Sequence, residues 1–426
     1  MVVLHSFANG APNFARLFLN FTMIITRYLL LCAVVLGSSA ANAQMGCTDP
    51  TATNYNSSAA TNDGSCKYHV THNTPLLKGV FSAAITESSG LVWTDGKLWT
   101  HNDSGNPPYI FSVDTTDGHT LQQVIIDNYP NTDWEDITAD SNYIYVGDHG
   151  NNDGSRTDLK VLKIAKADIN ADSVVHVNAQ AISFSYTDQT SFAPSSTNNY
   201  DCEALMSIGD SLYIFTKDRG DLRSRVYKMP KTPGTYALTP YTSYAVNGLI
   251  TGADYNVTTK EVILVGYMSG HANSFLWFLS DFQGNMFFSG NKRRIEIGNG
   301  TNWQTEGVAW LSPNRYFISC EYTSNVPQSL FTGSKDSNKV SVSIKNGLKT
   351  VSYTICPNPS SDILNVNGLD SKAAFRIIDL SGQTSLQGNL EAVNSAVKIH
   401  TLIPGVYTIE VTNENKVRSS AKFEKR

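Results

Sequence analysis

The sequence predicts an all-β protein: a five-bladed β-propeller, with six blades as the alternative count, followed by a small C-terminal β-sandwich. Three observations carry this. Tyr (20), Phe (18) and Gly (30) are plentiful while only 16% of the 426 residues are charged, a balance that favours strands and turns. An acidic start, a short apolar strand, a polar turn and further alternating strands recur at spacings of about 50–70 residues, the mark of a repeat architecture. From Val351 onward the pattern changes to short alternating runs separated by Pro, Asn and Gly turns, as in a compact sandwich.

The chain begins with a targeting pattern. Thr26-Arg27-Tyr28, an apolar run over 29–36 and Ala41-Asn42-Ala43 supply a positive start, an apolar core and a small-x-small cleavage site. The run is shorter than the ~20 residues a bilayer span needs. Residues 1–43 are therefore expected to be a cleaved signal peptide, with Met23 the expected initiator and no membrane span in the mature chain. Cys32 leaves with the leader, and the odd set Cys47, Cys66, Cys202, Cys320 and Cys356 remains. Cys47 and Cys66 bracket a short polar loop and are expected to pair in an oxidising compartment. The other three read as buried small hydrophobes.

Residues 44–68 form a cysteine-closed, Asp/Asn-rich module resembling the Gly-Cys-Thr-Asp-Pro…Asp-Gly-Ser-Cys units of secreted Bacteroidota proteins. Asp49, Asn54, Asn62 and Asp63 offer hard oxygens suited to Ca²⁺, or simply make Asx turns. The propeller is expected over 69–340. Its inner strands start at Glu87, Glu135-Asp136, Glu203, Thr251 with Asp254, and Glu306. Each start leads into a second and a third apolar strand, for example 143–145 then 160–164. The fifth repeat runs out after its third strand. Residues 76–82 are expected to pair there and close the ring, which removes open sheet edges. In the six-blade alternative, residues 179–187 belong to a hidden unit. Residues 341–350 read as a linker.

The tail, 351–426, runs through Cys356-Pro357-Asn358-Pro359-Ser360, residues 362–366, Leu380-Ser381-Gly382-Gln383 and Pro404-Gly405-Val406-Tyr407 to a basic end. It resembles the type A C-terminal sorting domain of the Bacteroidota type IX secretion system. That resemblance implies passage across the outer membrane by the type IX machinery, and a secreted or outer-membrane-surface destination. The repeated region, through Asp133-Trp134-Glu135-Asp136, Gly147-Asp148-His149-Gly150 and Asp201-Cys202-Glu203-Ala204, resembles secreted propellers related to esterase-like, phytase-associated domains. That resemblance implies a propeller and little about activity.

In a propeller the first-strand starts and second-strand ends meet on one face, because antiparallel pairing returns the chain there. Glu87, Glu135, Asp136, Glu203, Asp254 and Glu306 are the candidate metal ligands. So many carboxylates around one mouth repel unless protonated, hydrogen-bonded or bridged by a cation, and Ca²⁺ is the expected cofactor. The opposing reading makes each acid a latch on a neighbouring blade's N–H groups. His101, Asp148 and His149 are candidate catalytic residues, with Asp103, Lys217, Asp218 and Arg219 placed for ligand binding. The function expected is ligand binding at an acidic channel face, extending to Ca-dependent phosphoester or ester hydrolysis. The alternative is a non-catalytic glycan- or protein-binding adhesion propeller using Trp99, Tyr109 and Trp303. The net charge of −5 gives no electrostatic footprint for nucleic acid. A nucleophile elbow and zinc-ligand spacings are both missing from the sequence.

Overall fold

The computed structural model describes residues 44–298, 303–335, 353–379, 382–414 and 418–426. The expected signal peptide and the 341–350 linker lie outside the described residues. The chain divides into two compact units between Val340 and Ser341. Strands dominate, the described residues hold one short 3-10 turn at Lys166–Asp168, and no helix among them is long and apolar enough to cross a membrane.

The first unit contains five sheets of four or five strands. Each is led by one inner strand: Ser88–Thr94, Trp134–Ala139, Cys202–Ile208, Leu249–Asn256 and Thr305–Trp310. We number the sheets one to five in that order. Each inner strand packs against the next, and the fifth packs back on the first, so the five close a ring. The core follows this geometry as five apolar layers, one between each pair of neighbouring sheets. Trp134, Tyr145, Tyr213 and Phe275 are among its fully buried members. Burial of such rings at roughly 25 cal/mol per Å² supplies most of the cohesion.

Leu76–Val80 pairs antiparallel with Ser329–Ser334, so the strand that precedes the first sheet completes the fifth. Gln180–Tyr186 is the fourth strand of the second sheet, on Lys160–Ala165. Three further strands are lent across sheets in parallel pairing. Val174–Val177, from the third-to-fourth-strand connection of sheet two, joins Thr120–Ile126 of sheet one. Gly234–Leu238, from the same connection of sheet three, joins sheet two. Thr71–His72 joins Asn291–Glu296 of sheet four. The greater length of the second repeat thus comes from the lent strand as well as from the 194–199 loop.

The 44–68 module is closed by the Cys47–Cys66 disulfide, and Met45–Gly46 pairs with Thr61–Asn62. Its four candidate oxygens do not converge on a cation. Asp49 accepts from Thr51 and the Tyr68 hydroxyl, Asn54 bonds Ser65 and Lys67, and Asp63 accepts from the Ser65 N–H. Asn62 donates to Asp281 at 2.7 Å and to Asn291 at 2.8 Å, tying the module to sheet four. Of the remaining cysteines, Cys202 and Cys320 are buried, whereas Cys356 is exposed, contrary to the expectation for it.

The second unit holds a three-stranded sheet (Thr354–Cys356, Ile363–Leu369, Val393–Lys398) and a four-stranded sheet (Thr384–Leu390, Ala373–Ile378, Gly405–Asn413, Arg418–Lys425). One apolar cluster draws on both, including Val366, Ile377, Ile409 and Phe423.

Candidate functional site

Every inner strand of the ring carries a β-bulge near its start, and the bulge decides which side chain is thrown towards the channel mouth. The unpaired residues are Ser89, Glu135, Glu203, Thr251 and Glu306. Ser89, rather than Glu87, is the first sheet's equivalent of the acids. Glu87 lies outside the strand, exposed, with Asn106 donating to its carboxylate. The two hydroxyl residues act as staples. Ser89 donates to the Glu135 carbonyl and Thr251 to the Thr305 carbonyl, each at 2.7 Å and each across to the next sheet. The inner strands approach so closely that a Cβ on Gly307 would lie 2.8 Å from the Gly90 carbonyl carbon.

The acidic bulges behave differently. Carboxylate oxygens of Asp103, Asp133 and Glu135 lie within 4.8 Å of one another, and so do those of Glu135, Asp201 and Glu203. Glu135 belongs to both groups. It is 4% exposed, yet no hydrogen bond or ion pair reaches its carboxylate among the described residues. Gly150 leaves room for it, since a Cβ there would lie 2.1 Å from Glu135 Oε1. Burial, and then the Glu203 and Asp103 charges, push the Glu135 pKa well up. Burial and Asp103 push Asp133 to about 7, with Arg156 working the other way. Burial also takes Glu306 to about 7; its Oε1 accepts from Tyr267 at 3.3 Å while its Oε2 is buried without a partner. Glu321 is likewise raised by burial, then by Glu306.

Cationic side chains face these acids. Lys217 Nζ sits 3.0 Å from Glu203 Oε2, and Arg219 sits 2.8 Å from Asp201 and 3.8 Å from Glu203. Burial lowers the Lys217 pKa, but the Glu203, Tyr267, Glu306 and Asp201 charges together outweigh it and the net shift is upward. Both cations assigned to an anionic substrate are therefore already engaged with carboxylates. Asp218 turns away from the mouth to Arg225 in its own sheet. Asp103 is in the cluster, so of the four ligand-binding candidates only Asp218 is displaced.

Two of the six metal candidates are latches instead. Asp136 accepts N–H bonds from Ile137 and Leu205 at 2.8 Å and from Ala253 at 3.3 Å, so one carboxylate joins the inner strands of sheets two, three and four. Asp254 accepts from Tyr255 at 2.8 Å and Trp310 at 2.7 Å, and lines the opposite mouth of the ring. The histidines are also displaced from the expected role. His101 and His149 are fully buried, and burial lowers both pKa values to about 4. His101 stands opposite Gly90 in register where Phe215 and Val265 stand in sheets three and four. The matching residue of sheet two is Gly147, and the His149 ring folds into the space its side chain would take, with Nδ1 3.0 Å from the Cys202 carbonyl. Both rings are inter-sheet packing, neutral at physiological pH, and neither carries protons at the mouth. Asp148 is 1% exposed and held by Arg156 at 2.9 Å and Lys160 at 3.1 Å, a structural ion pair.

The aromatic residues set aside for adhesion are not a surface platform either. Trp99 is 3% exposed, Tyr109 packs edge-on to Phe111 and Trp303 stacks on Phe331. Sequence reasoning under-weighted Asp133 and Asp201 and took Glu87, rather than Ser89, for the first sheet's entry residue. The pattern Ser89-Gly90, Thr251-Gly252, Glu306-Gly307 was the available signal: a polar residue followed by the glycine that close strand approach demands.

Residues 354–424 match the secretion system C-terminal sorting domain. The chain carries a type IX sorting tail. It is thus cargo of that secretion machinery and a secreted or cell-surface protein. No curated protein matches the chain. Solved structures with some likeness include an aldose sugar dehydrogenase from Streptomyces coelicolor (11% identity, 62% of this chain and 100% of that one, TM-score 0.36). An exo-β-1,3-galactanase from Phanerochaete chrysosporium gives 10% identity over 83% and 99% of the two chains, TM-score 0.41. PorZ, a surface component of the type IX system of Porphyromonas gingivalis, gives 15% identity over 80% and 45%, TM-score 0.29. At TM-scores this low these likenesses assign no activity to the chain.

Proposed function

We propose that the first unit is the 44–68 module followed by a five-bladed β-propeller, the tail a small β-sandwich, and the acidic mouth a Ca²⁺ site that holds an external ligand. Asp103, Asp133, Glu135, Asp201 and Glu203 are the protein's ligands. The observation that carries this is the Glu135 carboxylate, nearly fully buried, without a donor, and flanked on both sides by other carboxylates. A carboxylate in that setting requires a proton or a cation. Ca²⁺ takes six to eight oxygens, so a carboxylate cage open on the channel side leaves positions for oxygens of a ligand. Excess negative charge and the engaged Lys217 and Arg219 favour hydroxyl or carbonyl ligands over phosphate.

The test is a thermal melt with Ca²⁺ and with chelator. At Ca²⁺ about 100-fold above its Kd the stabilisation is about 2.7 kcal/mol, or roughly 4–5 °C for a unit of this size. The same Ca²⁺ addition should leave Glu135→Gln unmoved. An unshifted wild-type melt, or a Glu135→Gln variant that still responds, removes the reading.

A hydrolytic reading is favoured by one observation, the poise of Asp133 and Glu306 near 7, which suits general acid–base work. Ca²⁺-dependent turnover of generic ester or phosphoester substrates, lost in Glu306→Gln, supports an enzyme. Ca²⁺-dependent stability without turnover leaves a binding propeller.

A further inference from the structure

The inner strands end at a second mouth, opposite the carboxylates, and it encloses a recess of about 540 Å³ built from all five sheets. Its chemistry is different. Three amphipathic aromatic residues line it: Trp93 of sheet one, Tyr255 of sheet four and Trp310 of sheet five. Trp310 is 5% exposed and its indole N–H is shut off from solvent without a partner, so it contributes ring surface to the recess and not a donor. Trp93 and Tyr255 are half-buried, and neither the Trp93 indole N–H nor the Tyr255 hydroxyl makes a hydrogen bond among the described residues.

The charges on the lining, by contrast, are spent internally. Lys166 pairs with Asp95 at 2.7 Å and donates to Thr94. Both Asp254 oxygens accept backbone N–H groups, and Asp140 pairs with Lys231 at 2.9 Å. The recess therefore offers apolar ring faces and two polar handles, on Trp93 and Tyr255, with Asp254 the one lining acid held by N–H groups and not by a cation. Carbon-bound hydrogens on one face of a sugar ring pack on aromatic surface, while its hydroxyls accept from indole N–H and phenol groups. Ions gain nothing here, and a purely apolar guest would leave the donors unpaired.

The geometry points to this second mouth as a binding site for a neutral carbohydrate, one or two sugar units deep, separate from the cation site. It does not depend on the Ca²⁺ reading. The test titrates the mature chain with soluble gluco-, xylo-, manno- and galacto-oligosaccharides, and with sulfated counterparts, following tryptophan fluorescence and calorimetry. At least one neutral series should bind with a Kd below about 5 mM, a range typical of small wet sites. Trp93→Ala should weaken it at least tenfold. Tyr255→Phe, which removes only the hydroxyl, should weaken it about three- to tenfold. Glu135→Gln and chelator should leave it unchanged. Melts confirm folding, and Tyr255→Phe, at a half-buried site, stays informative if Trp93→Ala is unstable. Absence of binding by every neutral series, binding of sulfated oligomers alone, or affinity that survives Trp93→Ala and Tyr255→Phe overturns the proposal. Loss of binding in Glu135→Gln would place the sugar at the acidic mouth and overturn it equally.

Discussion

Glu135 and Asp136 are neighbours in the chain with opposite circumstances. The bulge turns Glu135 into a crowd of acids with no donor, while Asp136 gathers three N–H groups from its own and two other strands. Removing each should therefore have opposite consequences. Asp136→Ala orphans buried donors on three strands and should cost about 3 kcal/mol or more, read as a lower denaturation midpoint at unchanged m-value. Glu135→Gln relieves repulsion and should leave the Ca²⁺-free protein as stable or more so. The histidines give a pH test. A His with a folded pKa of about 4, against an ordinary 6.5, binds fewer protons folded than unfolded between those values. Stability is then full above pH 6.5 and falls as pH drops towards 4, by up to about 3 kcal/mol per residue. His101→Phe, borrowing the residue sheet three carries at that place, should flatten the acid limb relative to wild type in urea melts at pH 7 and pH 4.5. The acids and histidines were visible in the sequence as candidates. Their division into latch, filler and cluster was not, because it turns on a one-residue bulge and on a glycine, Gly147, whose vacancy His149 fills.

At the scale of the element, alternation and turns reveal the inner and second strands because half-buried strands write a period of two into the chain. The lent strands are another matter. Thr71–His72 is two residues long and Val174–Val177 four, too short for periodicity, and their pairing is set by what the neighbouring sheet leaves open. Leu76–Val80 is the strand to probe. Deleting residues 69–82 bares the edge of Ser329–Ser334 and should shift the protein to larger species than the wild type by size-exclusion chromatography with light scattering, as open edges do.

The whole molecule separates what it does from where it goes. The apolar cluster of the tail draws only on residues of the second unit, so ending the chain at residue 340 should leave the melt of the first unit within about 2 °C of the full protein. The truncated protein should at the same time accumulate inside the outer membrane rather than reach the medium or surface, measured by fractionation. The tail was legible because its landmarks lie close together in the chain. The groups of residues at the two mouths were less so, because each is assembled from distant strands and only ring closure sets them side by side.

One consequence of the lent strands concerns order of assembly. Sheet one takes its outermost strand from the middle of repeat two, sheet two takes one from repeat three, and sheet four waits on the segment ahead of the first repeat. The repeats are buttoned to one another like overlapping shingles: the first two sheets wait on their successors, and the fourth and fifth on residues ahead of the first repeat. Pulled from its ends, such a chain should give way in one large step instead of five small ones.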